Sequence, residues 1–319
     1  TEAKDLSVFD AAHPRPKDDS AAPEVRAAMT KASDAQMGKL IPKDAATLAK
    51  FKRVVGTALR AMVSDELPKS IAVRTGPVES KLDGLTVHRA VLGRADEKDG
   101  MPVIGMFGPK FTGGMAVVWL HPSGKAAVHR DGKLDPAIRA LTDAGFAIIA
   151  PDVLGVGENA FAKRTPVDKS YAGYTFGYNR ALLAEQVHDA LTAVAFGTTM
   201  LKVKALHVVG TGAMGVVAVL AKALAGDAVA KTAADLNQFR FENVKDTADP
   251  MMLPGAVKYG GLPAFLALCA PGEVLAHNHK GTTTGKISKA AYDAAGAPTK
   301  LTRVDEKLDD AKVVEWLLK

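Results

Sequence analysis

Short apolar runs rich in β-branched residues alternate with helix-length segments along most of this 319-residue chain. They predict strands at residues 71–75, 85–92, 103–107, 116–120, 146–150, 205–209, 229–233, 273–277 and 299–304, and helices at 136–144, 179–196, 213–225, 288–295 and 309–318. The first three strands follow one another directly, whereas strands and helices alternate from residue 116 onward. The later strands are almost entirely apolar, which is typical of a parallel sheet buried on both faces. The chain is therefore predicted to have an α/β fold, with a central, mostly parallel sheet, an antiparallel opening and helices on both faces.

The first 68 residues have a different character. Pro14, Pro16 and Pro23 mark an irregular start, and helices are predicted at residues 23–40 and 44–64. This stretch contains no convincing strand and too few apolar residues for a core of its own. We therefore expect two parts, a helical N-terminal extension or interdomain segment at residues 1–68 and an α/β domain at residues 69–319.

Composition excludes several classes of protein. The net charge is +6, but Lys and Arg are interleaved with Asp and Glu throughout, as in residues 305–312, so we expect no nucleic-acid partner. A single cysteine, Cys269, excludes an intrachain disulfide and a multi-thiolate zinc site, and its apolar neighbours predict a buried, inert thiol. Nothing approaches the roughly 18 consecutive apolar residues of a membrane span. The compartment stays open.

The most informative segment is a glycine-rich turn between a predicted strand and a predicted helix. Gly210, Gly212 and Gly215 have the Gly-x-Gly-x-x-Gly spacing of a dinucleotide site, and Asp235 follows about 20 residues later, where a ribose-binding acid is expected. However, the turn follows a late strand rather than the first strand of a βαβ unit. An NAD-dependent oxidoreductase using residues 210–215 is therefore the less favoured alternative.

The same turn also matches a nucleophile elbow, in which a sharp strand-to-helix turn exposes a serine hydroxyl above the sheet. Gly210 and Gly215 fit the small flanking residues of such an elbow. Gly212 falls where the serine belongs. Because glycine has no side-chain oxygen, an acyl-enzyme cannot form there.

Four segments carry a resemblance to a known family. They are residues 117–125, residues 146–158, residues 178–180 with 187–191, and residues 232–236 with 253–261. Together they resemble the acetyl-xylan-esterase-like branch of the α/β-hydrolases found in tandem-domain bacterial proteins, over about residues 70–319. The resemblance implies a serine-esterase ancestry, a carbohydrate substrate or ligand, export to the periplasm or medium, and a preceding hydrolase domain in the same precursor. It also implies a pocket formed by His121, Ser123, Gly124, Asp152, Glu158, Gly212, Ala213 and His277.

The family's catalytic triad is incomplete in this sequence. The order on this fold is nucleophile, acid, histidine, and the nucleophile position is Gly212. Asp249 is a possible acid and Asp246 another, although either aspartate is equally well explained as a turn or capping residue. No histidine occurs beyond His279, so no residue after the last predicted strand can act as the catalytic histidine. We expect a degenerate triad.

Two functions remain open after this comparison. The first is a non-catalytic structural or carbohydrate-associated domain. The alternative is an active carbohydrate esterase with a non-standard site, in which His121 or Asp249 activates water directly. We expect neither a metal nor a cofactor, since the pair His277 and His279 has no clear third ligand nearby. Asp152 and Glu158 are interpreted as stabilising their own loop or holding a sugar hydroxyl, and His188 as structural.

Overall fold

The computed structural model describes residues 2–15, 21–161, 164–279 and 285–319. The strands in the described ranges are β1 Ile71–Leu82, β2 Leu85–Arg94, β3 Met101–Phe107, β4 Met115–Leu120, β5 His129–Arg130, β6 Lys133–Leu134, β7 Phe146–Pro151, β8 Ala205–Gly210, β9 Lys231–Asp235, β10 Glu273–His277 and β11 Leu301–Val304. The helices are α1 Ala22–Lys39, α2 Ala45–Val63, α3 Pro136–Asp143, α4 Gly173–Phe176, α5 Leu182–Ala195, α6 Met214–Ala225, α7 Gly261–Leu268, α8 Gly285–Ala294 and α9 Asp310–Leu318.

One mixed sheet contains all these strands except the small hairpin β5–β6. Its strand order is β1-β2-β3-β7-β4-β8-β9-β10-β11. The pairs β1–β2, β2–β3 and β3–β7 are antiparallel, and all pairs from β7 to β11 are parallel. The predicted α/β class, with an antiparallel opening that leads into a parallel sheet, is confirmed.

The helices cover both faces of this sheet. Helices α3 and α9 contact each other on one face, where Ile138, Leu141 and Leu317 pack against inward-facing residues such as Val117 and Ile148. Helices α5, α6 and α7 form a contiguous layer, against which α2 packs. The apolar face of α2, which includes Phe51, Val55 and Leu59, is buried there. Because both faces are covered, the central strands β4 and β7 are apolar along their whole length.

Two compact units divide the chain, at residues 1–40 and 41–319. The smaller unit contains α1, none of whose side chains is buried. Helix α2 belongs to the larger unit. The boundary at residue 68 remains a prediction. Among the described helices, none combines the length and the apolar character that crossing a bilayer requires.

The connection of the strands determines where a site can form. From β4 the chain crosses to β7 on one side, and it later returns to β8 on the other side of β4. The carboxyl ends of β4 and β8 therefore border the point where the strand order reverses. In open α/β sheets, ligands bind at such a switch point.

Candidate functional site

The turn from β8 to α6 requires glycine at both ends. A Cβ on Gly210 would overlap with the carbonyl oxygen of Met214, and a Cβ on Gly215 would overlap with that of Asp235. Both obstacles are backbone atoms, which cannot move aside as a flexible side chain would. The two glycines therefore let α6 pass directly over the ends of β8 and β9, as their sequence spacing suggested.

Gly212 lies at the apex of this turn. Its φ is +53°, in the left-handed region that residues other than glycine rarely adopt. The residue is half-buried, and a Cβ there would lie 3.2 Å from Cγ of Pro122. The amide of the preceding Thr211 donates a 3.0 Å hydrogen bond to the carbonyl of Leu120, which fastens the turn to the end of β4. The apex thus sits at the switch point, and it presents no side-chain nucleophile.

Asp235 is an acid that is hydrogen-bonded to this apex. It ends β9 and is 1% exposed. Its Oδ1 accepts hydrogen bonds from the Asn237 amide at 2.8 Å and from the Asn278 side-chain amide at 2.7 Å. Its Oδ2 accepts from the Gly212 amide at 3.2 Å and lies 3.8 Å from Nζ of Lys307. Both carboxylate oxygens are therefore engaged by protein groups rather than presented to a ribose.

Sequence reasoning considered Asp235 only as a dinucleotide acid and missed this contact. The strand was predicted at residues 229–233, whereas β9 is Lys231–Asp235. The shift of two residues placed the aspartate beyond the strand instead of at its carboxyl end. An acid that directly follows a buried run beside the elbow strand was the available signal.

His121 and Ser123 follow β4 at the same edge. The Ser123 amide donates a 2.9 Å hydrogen bond to Nδ1 of His121. Burial lowers the pKa of His121, against opposition from the carboxylates of Asp310 and Asp135. The ring is therefore neutral near pH 7, and its proton lies on Nε2, because Nδ1 acts as an acceptor. A base at Nε2 would require the ring to give up its bond to Ser123.

Asp152 joins the loop after β4 to the loop after β7. The carboxylate is buried and accepts hydrogen bonds from the amides of Lys125 at 2.7 Å and Glu158 at 2.8 Å. The Lys125 ammonium binds Asp152 and also lies 2.8 Å from Oε1 of Glu158. Gly124 has a φ of +59°, and a Cβ there would overlap with the Asp152 carboxylate. The predicted pocket residues Gly124, Asp152 and Glu158 are thus brought together as one charged cluster.

The two histidines near the end of β10 have different partners. Nδ1 of His277 accepts a 3.1 Å hydrogen bond from the Leu308 amide, and burial lowers the pKa of this ring. Asn278 between them has a φ of +57°, which interrupts the alternation of an extended strand. Nδ1 of His279 lies 3.2 Å from Oδ1 of Asp305, at the wall of a cavity of about 1260 Å³. An aspartate at Nδ1 makes Nε2 the basic nitrogen of a histidine.

Asp249 and Asp246 are turn residues. Oδ1 of Asp249 accepts a 2.7 Å hydrogen bond from the Met251 amide, and Oδ1 of Asp246 accepts a 2.8 Å hydrogen bond from the Ala248 amide. No hydrogen bond or ion pair within the described ranges connects Asp249 to Gly212. The other predicted pocket residue, Ala213, is half-buried at the start of α6.

A separate charged cluster surrounds His188 on α5. Its ring nitrogens lie 3.0 Å from Oδ2 of Asp65 and 3.1 Å from Oδ2 of Asp99, and Arg94 forms a bidentate ion pair with Asp65. Burial opposes protonation of His188, but the hydrogen bonds to both carboxylates outweigh it and raise the pKa. Glu97, Asp99 and His188 are close enough to hold a cation, although Arg94 supplies the positive charge here. The cluster ties α2, the β2–β3 connection and α5 together.

Known structures provide an independent comparison of the backbone. A Bacteroides fragilis protein assigned as an acetyl xylan esterase superposes with a TM-score of 0.60 at 14% identity, covering 94% of this chain and 85% of its own. A methylesterase gives a TM-score of 0.61 at 15% identity, covering 91% of this chain and 68% of its own. A glucuronoyl esterase from Solibacter usitatus gives a TM-score of 0.55 at 12% identity, covering 86% of this chain and 93% of its own. No protein-family model and no curated protein matches the sequence.

The chain has the α/β-hydrolase fold.

In enzymes with the α/β-hydrolase fold, a sharp turn between a strand and a helix carries the nucleophile, and the acid and the histidine follow in that order along the chain. In this chain, the turn from β8 to α6 carries Gly212. The strand after it ends in Asp235, and the last strand, β11, is followed by Asp305 rather than by a histidine.

Proposed function

We propose that this chain is an esterase-like domain that performs no ester hydrolysis and acts in association with carbohydrate. The observation that carries the proposal is Gly212, with its φ of +53°, at the apex of the strand-to-helix turn that we assign to the nucleophile position of this fold. The backbone shape of an elbow is retained, while the oxygen that would attack an ester carbonyl is absent.

The groups around Gly212 support a loss of the whole catalytic set. Asp235, which would have to orient a histidine, instead accepts a hydrogen bond from the Gly212 amide itself. His121 and His277 each accept a hydrogen bond from a backbone amide at Nδ1. Neither ring is therefore the tautomer of a triad histidine, whose Nδ1 donates to the acid. His279 does have an aspartate at Nδ1, but it lies on the wall of the cavity of about 1260 Å³, which no residue from 210 to 215 lines. A serine at Gly212 would therefore still lack its base.

The carbohydrate part of the proposal comes from the similar structures and the family resemblance. An acetyl xylan esterase and a glucuronoyl esterase both act on carbohydrate esters by name. We further propose that the domain follows a hydrolase domain in its precursor, with residues 1–68 as the connecting segment. In this arrangement the domain positions a carbohydrate, and its neighbour performs the chemistry.

An esterase assay tests the absence of hydrolysis. The purified chain should hydrolyse p-nitrophenyl acetate and acetylated xylan at the rate of buffer alone, and a fluorophosphonate probe should not label it. Gly212→Ser should also stay at background, because the added hydroxyl has no histidine to take its proton. A parallel Ser123→Ala variant controls for changes in the neighbouring loop.

Three results would contradict the proposal. Turnover that disappears in His121→Ala would indicate direct activation of water beside the turn, which is the alternative function. Turnover that disappears in His279→Ala would assign the chemistry to the histidine paired with Asp305. Hydrolysis gained by Gly212→Ser would show that a base still serves the turn.

A further inference from the structure

A cleft separate from the Gly212 turn has the chemical features of a saccharide site. It has a volume of about 720 Å³ and lies between the end of α2, the connection from α4 to α5, and the loop that precedes α7. This volume falls within the range of roughly 300–1,000 Å³ that is typical of small-molecule sites. No residue from 210 to 215 lines it. We refer to it as the tyrosine cleft, because Tyr178 and Tyr259 both lie on its wall.

Exposed aromatic side chains are concentrated beside this cleft. The chain contains five tyrosines, and three of them, Tyr171, Tyr174 and Tyr178, fall within eight residues. Tyr171 and Tyr174 contact each other edge to face, with ring centroids 5.1 Å apart. Tyr178 is 91% exposed and lines the cleft. A tyrosine so exposed gains almost nothing from burial, so its ring is available to a ligand.

Tyr259 provides a second ring in the lining of the cleft. It is half-buried, and Nζ of Lys258 lies 5.6 Å from its centroid. Aromatic faces carry partial negative charge, and the axial C–H groups of a pyranose carry partial positive charge. The two tyrosines therefore offer the surface on which the apolar face of a sugar ring can stack.

Fixed hydrogen-bonding groups also line the cleft. Nη1 of Arg180 lies 3.5 Å from Oε2 of Glu185, and Nη2 of Arg180 donates a 3.2 Å hydrogen bond to the carbonyl of Ser64. Both charged side chains keep partial exposure, at 25% and 30%. The side-chain amide of Asn179 is held by a 3.0 Å hydrogen bond to the carbonyl of Thr175. These contacts hold donors and acceptors in place before any ligand arrives, which reduces the ordering cost of binding.

The combination selects the ligand class. A guanidinium next to a carboxylate donates and accepts at once, and a vicinal pair of hydroxyls can satisfy both groups. Since Arg180 and Glu185 balance each other, the pair does not favour an anion. We infer that the tyrosine cleft binds a neutral, pyranose-based oligosaccharide. This inference rests on the proposed association with carbohydrate, but it does not require the loss of hydrolysis.

Isothermal titration calorimetry with xylohexaose and with cellohexaose tests the inference on the full chain. At least one of the two should bind, and Tyr178→Ala should weaken that binding about tenfold, since a stacking ring contributes both its buried area and its aromatic contact. Tyr174→Ala is the matched control, because it removes an exposed tyrosine of the same segment that does not line the cleft, and it should bind as the unmodified chain does. Glu185→Gln should weaken binding while keeping the shape of the side chain. Thermal unfolding of each variant verifies that it is folded.

The outcomes separate this inference from the proposed function. If neither oligosaccharide binds, or if Tyr178→Ala and Tyr174→Ala bind equally well, the tyrosine cleft is not a saccharide site. That result leaves the absence of hydrolysis untouched. A different result is hydrolysis of p-nitrophenyl acetate by the same preparations, together with oligosaccharide binding that is lost only in Tyr178→Ala. That result would support the saccharide site and contradict the non-catalytic assignment.

Discussion

Replacing His207 with leucine should make the folded chain more resistant to mild acid. His207 lies on β8 and is 4% exposed, with its ring centroid 5.7 Å from that of Phe146. Neither of its ring nitrogens has a hydrogen-bond partner in the described part of the chain. Burial, with a smaller contribution from the charge of Lys231, lowers the pKa of His207 from 6.5 to about 4. The fold therefore keeps this ring neutral where an unfolded chain would protonate it.

The magnitude follows from proton linkage. A group whose pKa is depressed by folding contributes no penalty above its unfolded value and destabilises the fold as the pH drops below it. The interval from pH 6.5 to pH 5 spans about 1.5 units, each worth about 1.36 kcal/mol. The histidine should therefore cost about 2 kcal/mol of unfolding free energy at pH 5 relative to pH 8. Leucine removes this cost, and it also removes a buried ring N–H without a partner, worth about 1–3 kcal/mol at any pH.

Urea denaturation of both proteins at pH 8 and pH 5 measures the effect. The difference in unfolding free energy between His207→Leu and the unmodified chain should grow by about 2 kcal/mol at the lower pH. Burial raises the pKa of Asp189 to about 7, and hydrogen bonds to Asp65 and Asp99 raise the pKa of His188 against the effect of its burial. Both groups titrate in both proteins and cancel in this difference. Val209→Ala, on the same face of β8, should show a deficit independent of pH. An equal difference for His207→Leu at both pH values would refute the reasoning.

Three other substitutions or reactions test the packing described above. Gly215→Ala should destabilise the fold by about 3 kcal/mol or more in urea denaturation, because its Cβ would overlap a backbone oxygen of β9. The control Gly114→Ala should cost less than about 1 kcal/mol, since no described atom lies within 4 Å of the added carbon. Equal costs for the two variants would contradict the close approach of α6 to β9. Arg94→Ala should cost about 3–5 kcal/mol, since it leaves the carboxylate of Asp65 buried without its bidentate partner, and a loss below about 1 kcal/mol would indicate that this ion pair is not structural. Cys269 should resist a disulfide reagent until the chain unfolds, because burial raises its pKa to about 12, and rapid modification of the folded protein would show that the thiol is accessible.

Elements whose pattern is strong within one segment were predicted well. The buried strands β4, β7 and β8 and the helices α5, α6 and α9 lie close to their predicted positions. The segments that were missed have weak or ambiguous patterns. Strand β1 was expected to end at Thr75, but it continues to Leu82 through irregular pairing near Pro77, and a two-residue turn at Asp83 and Gly84 connects it to β2. Because an exposed edge strand has no buried face, its sequence shows little alternation of apolar and polar residues.

Helix α7 illustrates a different failure. Residues Gly261–Leu268 are eight almost entirely apolar residues, and in the fold they are buried. A fully buried helix shows no polar face, and a run of this length is equally compatible with a buried strand. Only its contacts with α6 and α8 determine that it is helical.

The sequence by itself determined the order of most of the strands and helices, the glycine spacing around the turn after β8, and the absence of a serine at residue 212. These properties depend on local conformation and on which faces are buried, and both leave a pattern in neighbouring residues. Only the tertiary structure decided that the Asp235 carboxylate meets the Gly212 amide, and that Tyr178 and Tyr259 line one cleft. Residues so far apart in the chain are brought together by strand order and helix packing, which depend on the free energy of the whole fold rather than on any single segment.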